Sequence, residues 1–275
     1  MNKKFTPKLI RLIFFECIML IITISVIGGA VITHNEFKVT AYNDTKTENE
    51  VTTAMPEAET TVTTTQPAVD TDYEYYYAGF SPVKINPNVN VSNILLNKDN
   101  ILPDNYTPTL AEAVKGSDVE LDYRAAPYYQ AMYDAALKDG ITLTPVSGYR
   151  SVNRQKQNFE NRITQYMNNG LDKKDATIET AKVIMLPGAS EHNAGLAMDI
   201  CSLSESFEDT DEFAWLSENA ADYGFILRYP KDEVRQKITG VIYEPWHYRY
   251  VGVDAAKEIK QRGITLEEYL GKAKL

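Results

Sequence analysis

The chain has 275 residues, with 38 acidic against 28 basic side chains and a net charge of −10. That balance excludes a nucleic-acid-binding role, which needs clustered Lys and Arg against the phosphates. The length suggests one or two domains, and with only two cysteines an apolar core must supply the stability that small disulfide-rich scaffolds draw from cross-links.

The N-terminus reads as a targeting segment. Lys3, Lys4, Lys8 and Arg11 precede an apolar run over 12–33, interrupted once by Glu16. A membrane helix needs about 20 apolar residues. No small-x-small cleavage site follows the run, and Glu16 before Cys17 argues against a lipoprotein cysteine. The expectation is an uncleaved signal anchor over 1–33, with the basic end in the cytoplasm and the rest of the chain outside the cell membrane as a single-pass protein. Residues 34–77 are rich in Thr, Glu, Ala and Pro and poor in large apolar side chains, so they should form a disordered stalk. The outer domain then spans 78–275, and about 195 residues are enough to bury a core of their own.

Within that domain, residues 78–110 read as an extended wrap with short strands and turns. Residues 125–138 predict a helix, with Pro127 suited to its first turn and Gly140 to its stop. Residues 141–146 alternate as a strand, followed by a turn at Ser147-Gly148-Tyr149-Arg150. Helices are expected over 152–167, 174–185, 212–222, 254–262 and 265–272, and strands over 196–200, 225–228 and 243–250. The irregular mixing of helices and strands favours an α+β fold, a small antiparallel sheet flanked by helices and preceded by the membrane helix and stalk.

The chemistry concentrates in two short segments, 187–199 and 244–247. They hold two of the three histidines in the chain. A catalytic zinc takes three protein ligands and leaves a position for water, and His192, Asp199 and His247 make such a set of nitrogen and oxygen donors. An aspartate between Met198 and Ile200 would be costly to bury without a metal or a strong partner. Gly195 and Ala197 allow close approach of neighbouring backbone. Glu244 is placed to act as base toward a water whose pKa the metal brings to about 7, because Pro245 bends the chain and can aim Glu244 and His247 at one point. Arg150, in a turn at the end of a strand, can stabilise an oxyanion. Cys201, two residues beyond Asp199, reads as a buried inert thiol rather than a ligand.

These residues resemble the three motifs of the VanY-type D-alanyl-D-alanine carboxypeptidases, a zinc peptidase family that also includes D,D-dipeptidases and L,D-carboxypeptidases. The first is Ser147-Gly148-Tyr149-Arg150-Ser151. The second runs from Gly188 to Asp199, and the third from Glu244 through Pro245, Trp246 and His247 to Gly252. Tyr223-Gly224-Phe225 through Pro230, and Thr239-Gly240, also match. The resemblance covers about 95–252. It implies one Zn2+ per chain held by His192, Asp199 and His247, Glu244 as base, Arg150 at the oxyanion, and Ser190 and Gln155 in contact with the terminal residue of a peptidoglycan stem peptide, with Gln157 as the alternative register for the last. It implies removal of a C-terminal D-alanine. An L,D-carboxypeptidase or an endopeptidase would use the same zinc machinery, and a non-catalytic wall-binding module is the alternative from another class.

Overall fold

The computed structural model describes residues 78–274. The expected membrane segment and stalk, 1–77, lie outside the described residues, and among the described residues no helix is long and apolar enough to cross a membrane.

The wrap expected over 78–110 is present as two short parallel strands, β1 (Val83–Lys84) and β2 (Asn100–Ile101), with a 3-10 turn at Val91–Asn93. A hairpin follows that the sequence reading did not identify, β3 (Leu110–Glu112) with β4 (Glu120–Asp122). Helix α1 (Ala126–Lys138) starts where Pro127 fits the first turn and ends before Gly140, whose φ of 80° closes it.

The centre is a four-stranded antiparallel sheet in the order β5-β6-β8-β7, formed by β5 (Pro145–Ser147), β6 (Ala197–Ile200), β7 (Phe225–Leu227) and β8 (His247–Tyr250). Every pairing within it is antiparallel, as the α+β expectation required. The alternation of side chains across a strand decides what each face does. On β6 and β8, Met198, Ile200, Tyr248 and Tyr250 point into the main apolar cluster with Leu121, Met132, Leu143 and Phe225. Asp199, His247 and Arg249 point to the opposite face. Both strands are buried along their whole length, so polar groups on that second face must be satisfied by one another or by a ligand.

Helix α2 (Val152–Asn168) is capped by Ser151, whose hydroxyl accepts from the Arg154 amide. Its buried stripe of Gln155, Phe159 and Ile163 follows helical spacing. The two apolar members pack with Ala176, Leu186 and Tyr229 in a second cluster. Helix α3 (Lys173–Thr180) stops earlier than the expected 185. The carbonyl of Lys182 accepts from the Ile242 amide at 3.1 Å instead of continuing a helical ladder. Strand β5 is likewise shorter than expected, because only Pro145 and Ser147 find partners on β6 and the register shifts between them. The strand expected over 243–250 begins only at His247, since Pro245 lacks the amide a ladder needs.

Helix α4 (Asp211–Asn219) runs into a 3-10 turn at Ala220–Tyr223. Helix α5 (Glu233–Thr239), which the sequence reading omitted, is capped by Asp232 and closed by Gly240. Helices α6 (Val253–Arg262) and α7 (Leu266–Tyr269) form a third apolar cluster with Leu95, Ile226 and Val251.

Candidate active site

The site is assembled by sheet register. Asp199 on β6 and His247 on β8 are direct cross-strand partners, and Ser147 on β5 pairs with Asp199 from the other side. Cross-strand partners bring their Cβ atoms within about 5.5 Å, so two candidate ligands separated by 48 positions in the chain face each other by backbone geometry alone. His192 arrives from a 3-10 turn, Glu191–Ala194, that Gly195 closes at a φ of 66°. A Cβ on Gly195 would lie 2.7 Å from the Asp122 amide nitrogen. Only glycine fits both that conformation and that approach, as the sequence spacing suggested.

One donor atom from each of His192, Asp199 and His247 lies within 4.8 Å of the others, and all three residues are buried. In each imidazole one nitrogen is held by an acceptor, which settles the nitrogen left for a metal. A carbonyl can only accept, so the contact of His192 Nδ1 with Gly148 O at 2.7 Å puts the proton on Nδ1 and leaves Nε2 as a lone-pair donor, 3.4 Å from Asp199 Oδ2. His247 Nε2 lies 3.3 Å from the Glu191 carboxylate, so it carries the proton and leaves Nδ1 facing Asp199 Oδ1 at 3.3 Å. A ligand histidine held through its second nitrogen by a carbonyl or carboxylate is the usual arrangement around a protein metal.

Two further observations show that these residues fit a metal cation. Asp199 Oδ1 is buried with no hydrogen bond among the described residues, a costly state for a carboxylate oxygen unless something else binds it. The electrostatics also draw positive charge to the site. Burial would raise the Asp199 carboxyl, but His192 and His247 hold it well below the usual carboxylate range. Burial would discharge His247, but the Asp199 and Glu191 carboxylates on either side of the ring lift it to about 9, so a metal cation at Nδ1 would take the place of a proton there. Burial pushes His192 down, toward the neutral imidazole that a metal ligand must be.

Glu244 sits in the turn before β8, closed by the His247 amide to the Glu244 carbonyl at 3.3 Å. Its Oε2 is 3.6 Å from His247 Nδ1, so the bend at Pro245 does aim both side chains at one point. Burial raises the Glu244 carboxyl to about 8, against the opposing pull of His247. Arg150 Nη2 lies 3.8 Å from Asp199 Oδ2. The guanidinium donates to Gln155 Oε1 at 2.9 Å and Ser147 Oγ at 3.0 Å. Its turn is tied to the His192 turn by the Arg150 amide to the His192 carbonyl and by Asn193 Nδ2 to the Arg150 carbonyl.

The remaining predicted residues divide. Ser190 is buried at the start of the His192 turn, yet its hydroxyl does not cap it, which leaves that hydroxyl available. Gln155 is occupied at both ends: Oε1 accepts from Arg150, and Nε2 donates to the Met185 carbonyl at 2.6 Å. The structure therefore makes it a support for Arg150. Cys201 lies past the end of β6 at a φ of 62°, half-buried, with its thiol donating to the Thr142 carbonyl. It takes no part in the metal set.

Glu191 and Arg228, inside the motif spans 188–199 and 223–230, have a role that shows only in the fold. Glu191 accepts from Arg228 Nε at 2.8 Å and Arg249 Nη1 at 2.9 Å as well as from His247. The available signal was a pair of arginines, Arg228 just after β7 and Arg249 within β8, among residues that are otherwise mostly aromatic or apolar, since buried arginines need partners.

Comparison with known proteins gives the family. The profile of the VanY family, D-alanyl-D-alanine carboxypeptidase, matches residues 118–253. A D-alanyl-D-alanine carboxypeptidase of Enterococcus faecalis is 39% identical over 183 residues, 66% of this chain and 67% of that protein. Among solved structures, VanYB in complex with D-alanine-D-alanine is similar with a TM-score of 0.58 at 39% identity, covering 66% of this chain and 99% of that one. A VanY mutant from a VanB-type resistance cassette, solved with Zn(II), gives 0.57 at 38% identity over the same shares. The LdcB LD-carboxypeptidase gives 0.59 at 39% identity, covering 70% of this chain and 91% of that one. The chain belongs to the VanY family of D-alanyl-D-alanine carboxypeptidases and is a zinc carboxypeptidase.

Proposed function

We propose that this protein is a D,D-carboxypeptidase that removes the C-terminal D-alanine from peptidoglycan stem peptides, with His192, Asp199 and His247 as zinc ligands. The observation that carries this reading is the convergence on one buried point of the three donors, a carboxyl 3.6 Å from His247 and a guanidinium 3.8 Å from Asp199. Zinc held there supplies a Lewis acid that polarises a carbonyl and makes hydroxide available near neutrality.

The chain's own residues supply the rest. Glu244 takes the proton from the attacking water and passes it to the leaving amine. Burial alone would keep its carboxyl protonated at neutral pH, and a cation at the adjacent ligand set favours the ionised form that a base requires. Arg150, oriented by Gln155 and Ser147, presents a fixed positive charge where a tetrahedral oxyanion would form. The Ser190 hydroxyl, which makes no cap bond, would contact the terminal residue of the substrate.

The test is D-alanine release from a stem pentapeptide ending in D-Ala-D-Ala. Release is expected to stop with a chelator and to return when zinc is restored. A second reading, L,D-cleavage of a tetrapeptide stem, is favoured by the similarity to the LdcB LD-carboxypeptidase. Release from the tetrapeptide with none from the pentapeptide would establish that reading and exclude the first.

We also propose that the apolar run over 12–33 anchors the protein in the cell membrane, with the domain beginning at residue 78 on the cell-wall side. The full chain is then expected in the membrane fraction, released by detergent but not by high salt. Recovery in the soluble fraction would overturn the anchor.

A further inference from the structure

Behind His247 lies a closed set of buried charges that the proposed chemistry does not use. Glu191, Arg228, Arg249 and Glu267 are each at most 1% exposed. Arg228 donates through Nε to Glu191 Oε1, and through Nη1 and Nη2 to the two oxygens of Glu267 at 3.0 and 2.6 Å. Arg249 donates to Glu191 Oε1 through Nη1, and to the Ile94 and Tyr250 carbonyls at 2.7 and 2.9 Å. Two carboxylates balance two guanidinium groups, so the set is neutral. It meets the metal set through His247 Nε2, which lies 3.3 Å from Glu191 Oε2.

Glu267 is the outermost member. It lies on α7, past the end of the family match at residue 253, and Asn97 also reaches it, at 3.4 Å. Glu191 Oε1 serves two arginines while Oε2 serves the histidine. How good an acceptor Oε2 is depends on how strongly those arginines draw on the carboxylate. Glu267 takes up both Nη donors of Arg228 and offsets its charge. We infer that Glu267 is a positioning residue of the metal centre, acting through Arg228 and Glu191 to hold the acceptor that orients His247. This rests on His247 being a zinc ligand, as proposed above. Without the Glu267 charge the set becomes net positive. Arg228 then draws harder on Glu191, His247 Nδ1 becomes a poorer donor, and an uncompensated charge faces a cation.

The test uses the full chain and zinc alone, titrated in competition with a chromophoric chelator, with the Co(II)-substituted protein as a spectroscopic reading of ligand geometry. Glu267→Gln is expected to weaken zinc binding about tenfold and to shift the Co(II) absorption bands. Glu191→Gln, one step closer, should weaken binding more. Glu268→Ala is the control. It removes the capping box of the same helix and should lower thermal stability while leaving zinc affinity and the Co(II) spectrum as in the parent.

A Glu267→Gln protein that is less heat-stable but binds zinc with parental affinity and spectrum would reduce Glu267 to a structural ion pair and overturn the inference. So would an equal loss of affinity in Glu268→Ala. Should Glu267→Gln fail to fold, Glu267→Asp, which keeps the charge but shortens the reach, carries the same two readings. His247→Ala separates the two ideas. If it keeps parental zinc affinity, the ligand reading fails and the inference with it. If it loses zinc while Glu267→Gln does not, the inference alone fails.

Discussion

Replacing Glu244 by alanine is expected to lower kcat by about 10²–10⁴-fold, the range a positioned general base contributes, while the protein still binds one zinc. Glu244 stands beside the ligand set without being needed to complete it. The three-donor cluster forms from His192, Asp199 and His247 alone, and Glu244 contacts it at a longer 3.6 Å. The buried carboxyl carries a strongly raised pKa, so its removal also takes away a group that is expensive to ionise in that place. The fold should tolerate its loss. Metal content by atomic absorption, measured beside the rate of D-alanine release, checks both halves. A variant that loses zinc along with turnover would make Glu244 a ligand and leave the base unassigned.

His247→Ala should remove zinc and activity together, with a loss of metal affinity beyond the roughly 10–100-fold typical of supporting residues. The reason lies in how many roles converge on this side chain. It faces Asp199 across the β6–β8 pair, holds the Glu191 carboxylate through its other nitrogen, and lies next to Glu244. Its removal leaves the buried Glu191 and Asp199 carboxylates without the imidazole that stood between them. Buried acceptors that lose their partner are costly, so the variant should also unfold at lower temperature when zinc is absent. Parental zinc content in this variant would strike His247 from the ligand set and refute the proposed centre.

The two effects differ in kind, and that difference separates the residues. One variant keeps the metal and loses the proton transfer. The other loses the metal on which the site depends. Gln155 shows why such separation is needed: a residue expected to touch substrate is also tied to Arg150 and to the Met185 carbonyl. Its substitution should act through the orientation of Arg150.

Much of the site was legible in the sequence because ligand chemistry is local. Two histidines, an aspartate and a glutamate within two short segments already point to a metal site suited to hydrolysis. Small residues such as Gly195 mark where backbones must approach. Helix ends were legible for the same reason: Pro127 and Gly140 bound α1, and Ser151 caps α2. The omitted helix α5 carried equal signals in Asp232 and Gly240, but it is short and its one strongly exposed apolar residue, Val234, blurred the periodicity on which recognition depends.

What the sequence by itself determined is therefore the donor set, candidates by type for the base and the oxyanion partner, and a mixed α+β fold. Only the tertiary structure decided the register that sets Asp199 against His247, the nitrogen each imidazole leaves for a metal, the support of Arg150 by Gln155, and the chain of buried charge from His247 through Glu191 and Arg228 to Glu267. The physical reason is range. Donor type, capping and turn chemistry are properties of a few neighbouring residues, whereas the pairing of buried charges is set by which distant segments the apolar clusters bring together. Glu191 and Arg249 lie 58 positions apart, and no local pattern could have joined them.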